Sequence, residues 1–386
     1  MPVTLAFGRR DDVRSGEPAE LPGRAQWNVA MAEAALQLQP TRLLIVKLSS
    51  IGDILHAFPA VSAIRRLYPE AHLAWAVDHR MKDLVAAHPA PDEILVLGSS
   101  RSNHHSGAAT LWDYFALARR VRQGGFDAVV DMQGLLKSSL ITYNTRARWR
   151  VGFGNGRIGN RWAVNIRLPE PARPIHAVDH LCLFARLLGA EPDPNAFEVR
   201  LAPEDRGFAE GLLGHVRGEP GPLVAIIPGS AWETKRWPEE YFAEVAAALE
   251  KEAGARFVII GGRQDRPAAR VIVDRLRNGP VLAAGEATLM QSAALTALCD
   301  LAIGGDTGIT HIAAALGVPT VAIYGPTDPR VTGPRGPQAS AIVREQGCWP
   351  CRKRHCDEWE CMLCIRPPDV LEAALAALGG SRPDAG

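Results

Sequence analysis

The sequence lacks any apolar run long enough to cross a membrane. No stretch reaches the roughly 18 consecutive apolar residues that a spanning helix requires, and helical membrane proteins are therefore excluded. The first residues, MPVTLAFGRRDDVRSG, also lack the long apolar stretch of a secretory signal. Aromatic residues make up only 6%, whereas apolar residues make up 47% and charged residues 22%. This composition is typical of a globular protein, and we expect a cytoplasmic one.

A strong overall charge is missing as well. The net charge of +1 excludes the broad positive surface on which nucleic-acid binding usually depends, so we predict no nucleic-acid partner. Charge is nevertheless uneven along the chain, because residues 133–172 contain seven basic residues and one acidic residue, Glu170. Such a local excess is typical either of a solvated surface or of a site for an acidic partner.

The most informative stretch is IGGDTGITHIAAALGVPTVAIYGPTD, residues 303–328. An apolar run ends at a Gly-Gly pair, a polar turn follows, and helical spacing of apolar residues begins after it. A second apolar run then leads to a Gly-Pro turn, so the pattern predicts one strand–helix–strand unit of a parallel sheet. The N-terminus of such a helix suits an anionic group such as phosphate. An ordinary α/β loop is the alternative, but packing alone does not ask for Asp306, Thr307 and His311 there.

The whole chain repeats this alternation of strands and helices. A strand predicted at residues 42–48 is followed by Gly52, Asp53 and one helix whose apolar positions run from Ile54 to Leu67. The pattern restarts with a strand at residues 223–227, after a cluster of prolines in residues 192–222. The predicted fold class is therefore doubly wound α/β. We predict an N-terminal extension (1–40), a first Rossmann-like domain (41–200) and a second (201–386).

Six separated blocks give the chain a family resemblance. In chain order they are IVKLSSIGDILHAFPA (45–60), VVDMQGLLKS (129–138), HAVDH (176–180), KRWPEEYF (235–242), GGDTGITH (304–311) and YGPTDP (324–329). With these blocks the chain resembles the family 9 glycosyltransferases, the lipopolysaccharide heptosyltransferases, over roughly residues 41–378. The resemblance implies the GT-B fold, in which two Rossmann-like domains face each other across a cleft. It also implies that heptose passes from ADP-heptose to Kdo on lipid A of the inner core, with inversion.

The resemblance assigns acceptor binding to the first domain and nucleotide-sugar binding to the second. Inverting transfer needs a base for the acceptor hydroxyl and stabilisation of the diphosphate leaving group. Asp53 is the candidate base and Lys235 the candidate cation for the diphosphate. A helix N-cap is the alternative role for Asp53 and Asp306, and a surface lysine is the alternative for Lys235. The candidate nucleotide-sugar residues are Ser230, Lys235, Asp306, Thr307, Gly308 and His311.

Three basic residues from the segment of uneven charge, Lys137, Arg157 and Arg161, are the candidate contacts to the anionic acceptor. If they hold that lipid, the protein contacts the inner membrane peripherally from the cytoplasm. By resemblance, the transfer needs no catalytic divalent metal or other cofactor.

Residues 154–159, GNGRIG, match the GxGxxG fingerprint of dinucleotide-binding proteins. The context argues against that function, because Arg146, Arg148 and Arg150 precede the glycines where an apolar buried strand is required. We therefore predict a basic loop close to the acceptor, and no nicotinamide cofactor.

Five of the seven cysteines fall in residues 348–364, in the spacing C-x2-C-x4-C-x4-C-x2-C. The two CxxC pairs, Cys348 with Cys351 and Cys361 with Cys364, can offer four thiolates to a structural zinc or iron ion. Reduced thiols are the first alternative, since cytosolic proteins rarely keep disulfides, and a redox or nucleic-acid module is the other. Cys182 and Cys299 stand in apolar helical surroundings and are predicted to lie in the core.

Two other functions remain open at this stage. One is a family 9 transferase with another acceptor or another nucleotide sugar. The other is a protein that binds sugar nucleotides without catalysis, which a turnover assay would separate from an enzyme.

Overall fold

A computed structural model describes residues 3–7, 36, 38–98, 111–154 and 160–379. The chain divides into two compact units, an N-terminal unit of residues 12–200 and a C-terminal unit of residues 1–11 and 201–386. Each unit is built on a mainly parallel sheet with helices packed against it, so the predicted doubly wound α/β class is confirmed. Among the helices in these ranges, none combines the length and apolar character that crossing a bilayer requires. The first strand, β1 (Val3–Phe7), belongs to the C-terminal unit.

The N-terminal unit contains a six-stranded sheet. Its strands are β2 (Arg42–Val46), β3 (His72–Asp78), β4 (Glu93–Leu97), β5 (Ala128–Asp131), β6 (Trp149–Phe153) and β7 (Ile166–Leu168). All pairs are parallel and the order is β4-β3-β2-β5-β6-β7. The central strands read as continuous apolar runs because helices cover both faces.

The described residues of this unit form seven α-helices: α1 (Ile51–Leu55), α2 (Phe58–Leu67), α3 (Lys82–Ala86), α4 (Leu111–Gln123), α5 (Leu136–Asn144), α6 (Asn160–Ala163) and α7 (Ala177–Leu187). Helix α2 packs against α7, whereas α4, α5 and α6 pack in succession. Leu44 and Val46 of β2 share a core with Leu117 of α4 and Ile141 of α5. Because neighbouring strand residues point to opposite faces, α4 and α5 cover one face of the sheet.

The single helix predicted after Asp53 is wrong, because the chain forms two helices there. The first begins after Ser50 and ends at Leu55, and the second begins at Phe58. Pro59 is the physical cause, since it has no N–H to donate to the carbonyl of Leu55 and fits only the first turn of a helix. The break leaves Asp53 within one short turn at the carboxyl end of β2.

The strand β6 directly precedes the glycines of the GNGRIG segment. The prediction that no buried strand precedes them is therefore wrong. Val151 and Gly152 are buried, and parallel pairing with β5 and β7 fixes the strand. Arg150 is accommodated because its guanidinium donates to the carbonyls of Ala147 and Ala163. Residues 155–159 of the loop lie outside the described residues.

The C-terminal unit contains a seven-stranded sheet. Besides β1 its strands are β8 (Leu223–Ile227), β9 (Arg256–Ile259), β10 (Val281–Leu282), β11 (Leu301–Gly305), β12 (Thr320–Tyr324) and β13 (Ala339–Val343). The order is β1-β13-β12-β11-β8-β9-β10, and every pair is parallel except β1 with β13. The segment assigned to an N-terminal extension thus supplies an edge strand, in register from Val3 opposite Val343 to Phe7 opposite Ala339.

The helices of this unit are α8 (Pro203–Arg217), α9 (Glu239–Ala253), α10 (Arg266–Val273), α11 (Leu289–Ala297), α12 (Gly308–Ala315), α13 (Pro329–Thr332), α14 (Glu360–Leu363) and α15 (Pro367–Gly379). The succession β11, α12 and β12 confirms the strand–helix–strand unit predicted from residues 303–328. Both flanking strands are fully buried. Their carboxyl ends, with that of β8, present polar side chains at one edge of the sheet.

Candidate active site

Asp306 is the centre of a polar cluster in the C-terminal unit. Its carboxylate accepts from Lys235 Nζ at 2.6 Å and from Thr327 Oγ1 at 2.7 Å, and it lies 3.5 Å from His311 Nε2. The Ser230 hydroxyl donates to its backbone carbonyl at 3.3 Å. The three segments that follow β8, β11 and β12 therefore meet here. The structure brings together Ser230, Lys235, Asp306 and His311, which the sequence analysis had selected separately.

Asp306 is held in its ionised form. Its carboxylate is almost completely buried, which by itself would raise its pKa. The hydrogen bond from His311 and the charge of Lys235 outweigh burial and lower the pKa of Asp306 well below its usual range. A buried carboxylate with a direct cation is stable only while that cation stays in place. Lys235 therefore has a structural partner, and the interpretation of it as an exposed surface lysine is wrong.

Lys235 is fixed by its surroundings on more than one side. It ends a short 3-10 turn, Glu233–Lys235, and its ammonium lies 4.2 Å from the centroid of the Trp232 ring. The guanidinium of Arg354 lies 5.0 Å from the same ring. A cation over an indole face is attracted by the ring quadrupole. The Lys235 ammonium has three donors, so the ion pair with Asp306 leaves donors for a further anion.

Thr307 is the N-cap of α12 and Gly308 its first residue, so the alternative role of Asp306 as an N-cap is wrong. The first N–H groups of a helix have no partner within it, and they carry the positive end of the helix dipole. The glycines before the helix permit close packing: a Cβ on Gly305 would lie 3.0 Å from the Lys235 carbonyl oxygen. A side chain there would push the lysine turn away from the helix end.

Asp53 lies in a different environment, at the third position of α1 in the N-terminal unit. Ser50 is the N-cap, and both its backbone N–H and its hydroxyl donate to Asp53 Oδ2, at 3.0 and 2.8 Å. The interpretation of Asp53 as an N-cap is therefore wrong, although the residue completes a capping box. Its side chain is 51% exposed. Oδ1 faces Lys47 Nζ at 3.9 Å, which leaves an oriented carboxylate that solvent and a substrate can reach.

Lys47 is a residue that the sequence analysis missed. It is buried at the end of β2, donates to the Met132 carbonyl at 3.0 Å and lies beside Asp53. Burial lowers the pKa of Lys47, while the charges of Asp53 and Asp131 oppose this effect. The available signal was a lysine inside the apolar run RLLIVKL, since lysine is almost never fully buried unless it is paired. It supplies a fixed positive field beside the candidate base.

The candidate acceptor residues are only partly described. Lys137 lies on α5 with its ammonium 6.0 Å from the Tyr114 ring centroid, and Arg161 lies on the neighbouring helix α6. Both side chains are exposed. Arg157 lies outside the described residues.

The cysteine segment packs against the turn that carries Lys235. Thr234 donates to the Lys353 carbonyl at 2.7 Å, and Trp359 Nε1 donates to the Thr234 carbonyl at 3.2 Å. Burial, followed by the neighbouring Cys351, Cys348 and Cys356, raises the pKa of the Cys361 thiol to about 11. Nowhere in the described ranges are three or more His, Cys, Asp or Glu side chains placed to hold a metal ion. Cys182 and Cys299 are buried, as predicted.

Comparison with known proteins decides the family. The sequence model described as glycosyltransferase family 9 (heptosyltransferase) matches residues 114–361. The chain belongs to glycosyltransferase family 9. This family 9 transferase is 29% identical to lipopolysaccharide heptosyltransferase 1 of Pseudomonas aeruginosa, over 82% of this chain and 87% of that one. It is 25% identical to lipopolysaccharide heptosyltransferase 2 of Escherichia coli K12, over 87% of this chain and 98% of that one.

A solved structure extends the likeness to the fold. Escherichia coli heptosyltransferase WaaC with ADP is 25% identical and superimposes with a TM-score of 0.62, covering 78% of this chain and 92% of that one. The family 9 transferase therefore has the GT-B fold that its two doubly wound units indicate. Family membership also removes the dinucleotide interpretation of the GNGRIG segment.

Proposed function

We propose that the protein transfers heptose from ADP-heptose to Kdo of the lipopolysaccharide inner core, with inversion at the anomeric carbon. The observation that carries the proposal is the Lys235–Asp306 ion pair at the N-terminus of α12, in a chain of this family. The heptosyltransferase relatives and the ADP-bound WaaC structure support the donor class. The choice of Kdo as acceptor rests on the likeness to heptosyltransferase 1 alone. Heptosyltransferase 2 proteins also match the chain, and they do not support this choice.

Asp53 is the proposed general base. Ser50 saturates one carboxylate oxygen with two hydrogen bonds and leaves Oδ1 toward Lys47. The acceptor hydroxyl gives its proton to this carboxylate as its oxygen bonds to the anomeric carbon, and the bond from that carbon to the diphosphate breaks. Lys47 favours the ionised carboxylate before the transfer and orients it.

The leaving ADP is the proposed ligand of the C-terminal cluster. The donors of Lys235 that Asp306 does not use, together with the first N–H groups of α12, would hold the diphosphate. Ser230 and His311 position these groups through Asp306. Charge develops on the diphosphate as the glycosidic bond breaks, and fixed donors stabilise it without reorganisation. No step of this proposal uses a metal or another cofactor.

Lys137, Arg157 and Arg161 are the proposed contacts to the anionic acceptor. Because Kdo-lipid A is held in a bilayer, we place the protein at the cytoplasmic face of the inner membrane as a peripheral protein. A different acceptor or nucleotide sugar within family 9 is the second candidate, and the match to heptosyltransferase 2 is the observation that favours it.

We infer a structural role for the cysteine segment, because its contacts to Thr234 support the Lys235 turn. The segment has two candidate forms, one with zinc or iron on Cys348, Cys351, Cys361 and Cys364, and one with reduced thiols. The two forms differ in metal content and in the reactivity of the thiols.

The deciding experiment is incubation of the purified protein with ADP-heptose, ADP-glucose or UDP-glucose, each with Kdo-lipid A or with its monoheptosylated form. Mass spectrometry should find one added heptose only on Kdo-lipid A and only from ADP-heptose. Addition to the monoheptosylated form alone would assign the second candidate, and no product from any pair would leave a binding protein without catalysis.

A further inference from the structure

Helix α5 buries polar side chains and exposes large apolar ones, which is the opposite of the usual arrangement on a surface helix. Its buried residues include Ser138, Ser139 and Thr142, which are satisfied internally because the two serines donate to the Leu135 carbonyl and Thr142 donates to Asp131. Its exposed residues include three large apolar side chains, Leu136, Leu140 and Tyr143. A helix that faces only water shows the opposite pattern.

The exposed apolar residues of α5 form one stripe. Their spacing of four and then three residues places them on the same face of the helix. The neighbouring helices extend the surface, because the Trp162 ring of α6 packs edge-on against Tyr143 with centroids 5.1 Å apart. On α4, Trp112 is 81% and Phe115 is 67% exposed. We call these six residues of α4, α5 and α6 the aromatic face.

No other part of the described chain exposes large apolar residues in this way: all six exposed large hydrophobic side chains of those ranges lie on these three helices. Isolated exposed apolar residues are common and need no special cause, but a set grouped on three helices that pack in succession marks an interaction surface. The residue types of the aromatic face indicate which kind of partner it binds. Trp and Tyr have an apolar body and a polar edge, and this combination favours the boundary between lipid tails and head groups.

Basic side chains accompany the aromatic face. Lys137 follows Leu136, Arg161 precedes Trp162, and Arg119 continues the exposed stripe of Trp112 and Phe115 on α4; all three are exposed. Apolar and aromatic residues with Lys and Arg beside them are typical of surfaces that lie in the plane of an anionic membrane. Each basic residue near such a surface contributes to binding by its attraction to acidic lipids.

We infer that the aromatic face of α4, α5 and α6 inserts into the head-group region of an anionic phospholipid bilayer. The inference rests on the proposed function in one respect only: membrane binding would serve to bring the N-terminal unit to a lipid acceptor. Charge complementarity selects the occupant: the exposed Lys137, Arg161 and Arg119 beside the aromatic face suit acidic phospholipids and would repel a second copy of the same surface.

The test uses the full chain and vesicles of phosphatidylcholine, with or without phosphatidylglycerol, that contain no lipopolysaccharide. Wild-type protein should float with the phosphatidylglycerol vesicles. The double substitutions Trp112→Ser with Phe115→Ser, and Leu140→Ser with Tyr143→Ser, should each reduce vesicle partitioning by about tenfold or more, because the buried apolar area sets the affinity. Unchanged partitioning of both double variants would overturn the inference.

Charge variants test how much the basic side chains contribute to vesicle binding. Arg161→Glu should weaken binding to phosphatidylglycerol vesicles by about fivefold or more. Arg66→Glu is the matched control, because Arg66 is an exposed arginine at the end of α2, away from α4–α6, and its reversal should leave binding unchanged. An equal loss of vesicle binding in both variants would mean that only the overall charge of the protein matters, and it would contradict the proposed surface.

Two further measurements distinguish a lost membrane contact from unfolding and from a lost catalytic function. Circular dichroism and melting temperature of the serine variants should match the wild type, because the substituted side chains are exposed. Transfer to a soluble Kdo acceptor without acyl chains should be unchanged, while transfer to Kdo-lipid A in vesicles falls. A wild-type dimer that the serine substitutions convert to a monomer without any vesicle binding would overturn the inference and assign the face to a second copy. Vesicle binding by a protein that transfers no sugar would refute the proposed function and keep this inference.

Discussion

At the scale of single residues, a buried lysine and a half-exposed aspartate carry the chemistry that we propose for the N-terminal unit. Lys47 cannot leave its position, because it is enclosed at the end of β2 and bonded to the Met132 carbonyl. Asp53 is fixed by Ser50 on one oxygen and faces Lys47 with the other. A general base needs this combination of access, orientation and an ionised form.

Replacing Asp53 tests this role directly. Asp53→Asn keeps the shape of the residue and should preserve the fold and ADP-heptose binding, but it should reduce turnover by roughly 10²–10⁴-fold, the usual scale for loss of a general base. Asp83→Asn, which removes an exposed carboxylate from α3, is the matched control and should retain wild-type turnover. Turnover of the Asp53 variant within a few-fold of wild type would remove the residue from catalysis.

Lys235 has an ion pair with Asp306 and a proposed role in ADP binding, and a single substitution would affect both. Lys235→Ala should cost about 1.5–3 kcal/mol in ADP binding through a lost charge-assisted contact, and about 3–5 kcal/mol in stability because Asp306 is left buried without its cation. The double variant Lys235→Met with Asp306→Asn removes both charges and should recover stability but not affinity. Calorimetry with ADP measures the affinity, and thermal melts measure the stability. Full ADP affinity in the double variant would contradict the proposed role of Lys235 in ADP binding.

His88 is a buried titratable group outside the proposed chemistry. Burial, assisted by the charge of Arg200 and opposed by a hydrogen bond to Phe58, lowers the pKa of His88 to about 4 from 6.5. Between these values the unfolded chain binds a proton that the native state does not, so stability should fall by up to about 3 kcal/mol as pH drops from 6.5 to 4. His88→Gln should have a shallower loss in urea melts at pH 7, 5.5 and 4.5. Parallel losses in both proteins would exclude His88 as the cause.

Most elements could be predicted from apolar periodicity and turn residues. The strand at Leu223–Ile227 has the predicted bounds, because Pro222 and Pro228 end its apolar run sharply on both sides. The helix after Asp53 was predicted as one element because its apolar spacing continues across the break, and only the missing N–H of Pro59 divides it. The side chains of the candidate site were predicted by type, but the ion pair of Lys235 with Asp306 joins residues 71 positions apart and has no local signal.

The cysteine segment is an element without regular structure over most of its length, and its chemistry is measurable. With a pKa of about 11, Cys361 should be alkylated by iodoacetamide at pH 8 about 10²-fold more slowly than an ordinary exposed thiol. The exposed Cys348 and Cys356 should react first, and a chelator should change nothing.

A metal-bound segment predicts a different result. Cys348, Cys351, Cys361 and Cys364 would all be protected until a chelator is added, and the protein would contain about one equivalent of zinc or iron. Cys361→Ser with Cys364→Ser would then release the metal and lower stability, whereas Cys356→Ser, outside the CxxC pairs, would do neither.

At the scale of the whole molecule, the candidate functional features are distributed over the two units. The N-terminal unit carries the basic segment, the aromatic face and Asp53, and the C-terminal unit carries the Lys235–Asp306 cluster. Composition alone gave a net charge of +1 and no indication of this separation. The reversed faces of α5 could not be recognised from periodicity, because helical spacing does not reveal which side of a helix is buried.

The pairing of β1 with β13 has a consequence for the order in which the molecule is made. Val3 lies opposite Val343, so the strand synthesised first has to wait for the last strand of its sheet. At roughly 5–20 residues per second, translation separates the two by tens of seconds. During that interval the N-terminal unit is complete while β1 still has no partner. A version of the protein without residues 1–11, which belong to the C-terminal unit, would leave the edge of β13 unpaired and open to pairing with other chains.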